Sequence, residues 1–196
     1  MKKIFLVLTI LFLTFSVKTF ADTSNSIQRI YEGNKDAKVT IIAYESFTCS
    51  HCADFHKNVY PQLKKEFIDT GLVKIEFRHF PLDMAALNAS KIAQCNNDGK
   101  SDIIHFLYSN QKKWAIGETV ETANENLKKL LKDENIVIDF EKCTNNKKIE
   151  DYVLNDRIEG VKKFKVNATP TIIINNKKFD KSLNYKNLKK SIEKLI

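Results

Sequence analysis

Arginine is scarce in this chain: it occurs only at Arg29, Arg78 and Arg157, and the basic excess is almost all lysine. The lysines are scattered among acids and asparagines. The formal charge of +8 therefore describes a solvated surface and excludes a nucleic-acid face, which needs a clustered stripe. No apolar run reaches the roughly 20 residues that a membrane span requires; the candidate, Ile4 to Phe15, is interrupted by Thr9 and Thr14. No cysteine stands near its end, which excludes lipid attachment there. No second C-x-x-C and no H-x3-H is present to complete a zinc site. No internal repeat or low-complexity linker divides the chain, so one domain with a substantial core is expected.

What is there begins at the N-terminus. Lys2 and Lys3 precede the apolar run, and Thr19-Phe20-Ala21 places small residues at both positions of a cleavage site. Residues 1–21 read as a secretory signal peptide, with an uncleaved anchor as the alternative. The mature chain then starts at Asp22, and loss of Lys2, Lys3 and Lys18 takes the formal charge from +8 to +5. A periplasmic location is expected. Export permits disulfides, so the four cysteines count as possible pairs.

Val39 to Tyr44 is a β-rich run that reads as a strand buried on both faces. Cys52, Phe55, Val59, Leu63 and Phe67 recur at helical spacing, and Gly71 is a natural stop. Leu72 to Phe80 alternates Val73, Ile75 and Phe77 with Lys74, Glu76 and Arg78, a second strand. Strand, helix and strand in this order form a βαβ unit, parallel and right-handed. From about residue 84 to about residue 164 the pattern is helical: Met84 to Cys95, a helix capped at Ser101-Asp102 with Ile103, Phe106 and Leu107 inward, Asn126 to Leu131, Phe140 to Cys143, and Ile149 to Phe164. Ile172 to Ile174 and Lys177 to Phe179 then read as a hairpin through Asn175-Asn176, since Asn tolerates positive φ. Tyr185 to Leu195 closes the chain as an amphipathic helix with Leu188, Ile192 and Leu195 on one side. The fold class is α/β.

The chemistry concentrates in Cys49-Ser50-His51-Cys52, directly after a strand and opening a helix. At a helix N-terminus Cys49 meets unpaired backbone N–H groups and the positive end of the dipole. Both favour the thiolate, the reacting form, and a protonated His51 would add to this. Cys52 falls on the apolar helix face. Cys49 is therefore expected to form the mixed disulfide and Cys52 to resolve it. Competing readings are a zinc or metal-delivery site of Cys49 and Cys52 with His56 and His79, an inert structural disulfide, and two unpaired core cysteines. Thr169-Pro170 before a buried strand is a second mark. It suits a fixed bend, whose isomer the sequence leaves open.

Taken in order, VTIIAYESFT-CSHC, the helical block and VNATPTIIINNKKF resemble the DsbA family of exported thiol oxidases, over essentially all of residues 33 to 196. The resemblance implies a thioredoxin fold with an inserted α-helical domain. It implies that Thr169 and a cis Pro170 face Cys49 and Cys52 and help to bind substrate. It implies disulfide transfer to reduced exported proteins, recharging by a DsbB-type quinone-linked membrane partner or an analogue, and no cofactor. The best-known members carry proline where this chain has Ser50, and a glutamate where it has Ala43; Glu45, two residues on, is a candidate replacement. Only about fifteen residues separate Asp22 from the first expected strand, too few for the dimerisation domain of related isomerases. A monomer is expected, and a disulfide isomerase or reductase is the alternative use of the same chemistry.

Cys95 and Cys143 lie apart in the helical block, and some relatives of this family carry cysteines there. In an exported chain they are expected to pair as a structural disulfide; a second redox pair and reduced core cysteines are the alternatives. His56, His79 and His105 have no partner that the sequence reveals and read as packing or surface. Trp114 reads as packing.

Overall fold

A computed structural model describes residues 26–196; the signal peptide expected over residues 1–21 lies outside them. Five strands form one sheet: β1 (Tyr31–Glu32), β2 (Val39–Glu45), β3 (Val73–His79), β4 (Thr171–Ile174) and β5 (Lys177–Lys178), in the order β1-β3-β2-β4-β5. β2 and β3 run parallel with Ile41 opposite Ile75, as the βαβ pattern requires. β4 returns antiparallel beside β2 with Ile172 opposite Ala43. β2 is central and almost wholly buried, whereas β3 alternates buried and half-buried residues. Asn175 and Asn176 both take positive φ, 44° and 66°, in the β4–β5 turn, which is the conformation that such a hairpin needs.

Helix α1 (Ser50–Asn58) follows β2, and α2 (Tyr60–Leu63) continues it through a wider stretch over Lys64–Ile68. Pro61 sits in the first turn of α2, where a missing N–H is tolerated. Six helices lie between β3 and β4: α3 (Met84–Gln94), α4 (Asp102–Ser109), α5 (Gln111–Trp114), α6 (Val120–Asp133), α7 (Phe140–Thr144) and α8 (Lys147–Phe164). The last helix is α9 (Tyr185–Ile192). Short polar side chains start most of them. Asp83, Thr119, Asp139, Asn146 and Asn184 each accept from the backbone N–H three residues on, which satisfies an otherwise orphaned donor. Among the described residues, no helix is long and apolar enough to cross a membrane.

Four details differ from what the sequence leads one to expect. The inward face of α4 is Ile104, Leu107 and Tyr108, with Ile103 and Phe106 only partly buried. Ser101 stands at the N-cap of α4, but its hydroxyl donates to Glu32 Oε1 at 2.5 Å instead of capping the helix. Its backbone is already helical, φ −96° and ψ −4°, rather than the extended conformation that aims an N-cap side chain at the first free N–H groups. Helix α9 ends at Ile192, and Leu195 is 38% exposed beyond it. The polar lead-in also contains β1, a two-residue strand too short to show any alternation.

Helix α8 closes the second face of the sheet. Asp156 is buried there and accepts from Arg29 Nη1 at 2.6 Å and from the His79 N–H at 3.2 Å. Gly160 lets α8 approach the ring of Tyr44, since a Cβ at that position would lie 2.8 Å from Tyr44 Cε1.

Candidate active site

The segment between β2 and α1 is built so that Cys49 starts the helix. The Cys49 N–H donates to Ser46 O at 3.0 Å, and Cys49 has extended backbone angles at the N-cap. Its own carbonyl accepts from the N–H groups of Cys52 and Ala53 at 3.1 and 3.3 Å. Gln111, at the start of α5, donates through Nε2 to Phe47 O at 2.7 Å and to Cys49 O at 2.9 Å. Thr48 Oγ1 donates to Asp83 Oδ2 at 2.7 Å. The helical block thus pins both sides of the loop, and Gln111 is a functional contact that sequence periodicity could not disclose.

Cys49 is half-buried and Cys52 fully buried, and neither is bonded to another cysteine. Cys49 Sγ lies 3.3 Å from Thr169 O, and the Thr169–Pro170 peptide is cis. The Cys52 thiol, then Thr169 and the backbone N–H groups of Cys52 and His51, stabilise the Cys49 thiolate against partial burial and bring its pKa down to about 5. Burial pushes Cys52 strongly the other way, helped by its bond to Cys49 and by the charge of Glu45. Two thiols three residues apart are therefore pushed in opposite directions. His51 contributes through its backbone N–H; its side chain is exposed and borders a groove of about 470 Å³ with Phe55, Val59, Pro170, Leu183 and Tyr185.

Beneath Cys52 lies a polar floor that the sequence did not reveal. Glu45, the last residue of β2, is 5% exposed, with Oε2 3.0 Å from His56 Nε2. Tyr108 hydrogen-bonds to Cys52, packs at a tilt against Phe47 and stacks on His56, ring centroids 4.8 and 4.1 Å away. His56 also meets His105, which meets Glu32. His79 is buried elsewhere, with Nε2 3.2 Å from Gln94 Oε1. The residues considered for zinc, Cys49, Cys52, His56 and His79, do not converge: among the described residues no group of three His, Cys, Asp or Glu is placed to hold a metal ion. Ala43, at the position of the expected family glutamate, is fully buried in β2 between Phe77 and Ile172. Cys95 is disulfide-bonded to Cys143, joining the end of α3 to α7 across 48 residues of chain. Trp114 is 1% exposed and donates through Nε1 to Leu107 O at 3.0 Å.

A dithiol at a helix start, facing a cis-proline loop on a β-sheet of this order, defines a thioredoxin-type thiol–disulfide site. The thioredoxin family model matches residues 25–194. A crystal structure of Wolbachia pipientis alpha-DsbA1 superposes with a TM-score of 0.74 at 30% identity, over 85% of this chain and 90% of that one. One of BdbD from Bacillus subtilis gives 0.70 at 25% identity, over 85% and 91%. Disulfide bond formation protein D of Bacillus subtilis is 27% identical over 176 residues, 83% of this chain and 74% of its own. A Rickettsia bellii protein, provisionally named protein-disulfide oxidoreductase, is 29% identical over 164 residues; these are 81% of this chain but 62% of that protein's length. The chain belongs to the thioredoxin family, as a DsbA-like member with helices inserted between β3 and β4.

Proposed function

We propose that this chain is an exported thiol:disulfide oxidoreductase that introduces disulfides into reduced, unfolded exported proteins through Cys49 and Cys52. The observation that carries the reading is the placement of the two sulfurs, Cys49 half-buried at the start of α1 against the cis Thr169–Pro170 peptide and Cys52 fully buried behind it, an environment that lowers Cys49 to about 5 and raises Cys52. A thiolate that is stable when reduced makes the oxidised pair a good acceptor of electrons.

In the oxidised protein a substrate thiolate attacks Cys49 Sγ. The substrate–Cys49 bond forms, the Cys49–Cys52 bond breaks, and the electron pair leaves on the Cys52 sulfur. Cys52, buried and in the field of Glu45, takes up a proton and stays a thiol. The second substrate thiol loses its proton to solvent and attacks the substrate sulfur of the mixed disulfide, and Cys49 leaves as a thiolate. The substrate gains one disulfide, the protein gains two electrons, and the proton lost by the second substrate thiol balances the one taken up by Cys52. Thr169 and Pro170 frame the substrate strand beside Cys49. The buried Thr169 hydroxyl, which no other group engages while Cys49 is a thiol, is the side-chain donor that favours the Cys49 thiolate. The apolar groove beside His51 and Pro170 accepts the side chains of an unfolded segment. The protein works in the periplasm as a monomer and is reoxidised by a DsbB-type membrane partner. Cys95–Cys143 stays oxidised as a structural bond.

Equilibration of the Cys49–Cys52 pair with glutathione buffers tests the reading. A potential toward about −120 mV marks an oxidase, and one toward about −270 mV marks a reductase and overturns the direction proposed.

A further inference from the structure

A continuous line of hydrogen bonds leads from the buried floor of the site to solvent. Glu45 Oε2 is 3.0 Å from His56 Nε2, His56 Nδ1 is 3.2 Å from His105 Nδ1, and His105 Nε2 is 2.5 Å from Glu32 Oε1. Glu32 also accepts from Ser101 Oγ and Tyr60 OH, both at 2.5 Å, and pairs with Lys64 Nζ at 3.2 Å. The inner side chains, Glu45 and His56, are 4% and 5% exposed. The outer ones open out: His105 is 30% exposed and borders a groove of about 620 Å³. The four residues come from β1, β2, α1 and α4, so no stretch of sequence displays the line.

We propose that His56 and His105 form a proton relay that connects Glu45, and through it Cys52, with solvent. The inference deepens the oxidoreductase reading and rests on it. The relay follows from counting protons. Burial works to raise the Glu32 pKa, but bonds from His105, Ser101 and Tyr60 outweigh it and keep Glu32 a carboxylate; His105 Nε2 must then carry a proton to donate. Two facing Nδ1 atoms make a hydrogen bond only when one proton lies between them. Given those limits, one further proton completes the line in three ways. It can sit on Glu45, which then donates to His56 Nε2. It can make His56 a cation that donates to both neighbours. It can make His105 a cation that donates to His56 Nδ1 and Glu32. Every hydrogen bond is satisfied in each case, so the proton moves along the line without breaking one.

The proton that Cys52 needs when its disulfide opens comes from Glu45, whose Oε1 is buried and has no hydrogen-bond partner. To charge Glu45, His105 passes its Nδ1 proton to His56 Nδ1, and His56 passes its Nε2 proton to Glu45. His105, at the open end, takes up its Nδ1 proton from water in the groove beforehand, with its ring turned away from His56, because in the closed line both of its nitrogens are engaged. On reoxidation the same route carries away the proton that Cys52 loses. His56 and His105 touch no reacting sulfur and are positioning residues. The other polar groups facing them are Tyr108 on α4 and, around Glu32, Tyr60, Lys64 and Ser101.

Reduction of the oxidised full chain by dithiothreitol, followed by stopped flow in H2O and D2O at low buffer concentration, tests the relay. His105→Phe keeps a ring against Tyr60 and Phe77 but removes both nitrogens. It is expected to slow reduction at least about tenfold, less than the roughly hundredfold low side of the range for a directly positioned proton donor because His105 acts through His56 and Glu45, to enlarge the solvent isotope effect, and to recover on addition of imidazole with the reduction potential unchanged. A rate that matches wild type, or one that falls without any response to imidazole or D2O, overturns the relay while leaving the oxidoreductase reading intact. Absence of exchange in the wild-type protein overturns that reading itself, and the relay with it. If His105→Phe does not fold, nitrogen NMR of the native histidines decides. One proton shared between the two Nδ1 atoms supports the relay, and a proton on both or on neither overturns it.

Discussion

The sulfur of Cys49 sits where three kinds of donor converge: the Cys52 thiol, Thr169 and two backbone N–H groups at the start of α1. Partial burial opposes ionisation, and the donors win. Titration of the reduced protein, followed by thiolate ultraviolet absorbance, is expected to show a midpoint near the value of about 5 rather than the ordinary 9.0. The folded pKa lies below the unfolded one, so this ionisation stabilises the folded reduced protein. The gain is complete above the ordinary thiol value and is lost as pH falls through about 5. With only the Cys49–Cys52 pair reduced, the denaturant midpoint should therefore rise relative to the oxidised form as pH is raised between these limits. Equal pH profiles for the two forms would contradict the assignment. A Cys49 midpoint near that of a free thiol would remove the basis for an oxidase.

At the scale of elements, the close approach of α8 to β2 depends on one missing methyl group. Gly160→Ala gains up to about 1 kcal/mol of helix propensity, but its Cβ would enter the Tyr44 ring, 2.8 Å from Cε1 and 3.0 Å from Cδ1. Tyr44 is fully buried, between Phe80 and Phe164, so the ring has little room to yield. Overpacking of this kind costs about 1–3 kcal/mol and should prevail. Urea unfolding is expected to show a lower midpoint with an unchanged slope; a midpoint raised by the substitution would mean that α8 shifts freely. The same elements mark the limits of sequence reading. β2 is legible as a continuous β-rich apolar run, β3 because its burial alternates, and the β4–β5 turn because its asparagines tolerate positive φ. The face of α4 was misjudged by one residue, since Ile103, Ile104, Phe106 and Leu107 offer two apolar faces and only the packing chooses between them. β1 could not be read because a two-residue strand has no period.

For the whole molecule, the helical block depends on a covalent tie. Cys95–Cys143 closes a loop of 48 residues, for which the chain-entropy model gives about 4 kcal/mol. Replacing both cysteines by serine is expected to lower the unfolding free energy by roughly that amount while leaving the Cys49–Cys52 potential in place. A doubly substituted protein that loses disulfide exchange with its stability intact would instead indicate a redox role for this second pair.

The amino-acid sequence by itself determined the strand–helix–strand core, the position of the reactive cysteine pair at a helix start, the polarity of Cys49 against Cys52, and the Thr169-Pro170 bend. All of these are local: they depend on residue spacing and on backbone groups within a few positions. The tertiary structure alone decided what lies under the pair. Glu45, His56, His105 and Glu32 are up to 73 residues apart in sequence yet hydrogen-bonded in a line, and Gln111 reaches back 62 residues to the Cys49 carbonyl. A buried polar group must find a partner, but its type and spacing do not say which one. That choice is made only when the sheet and the inserted helices close over it.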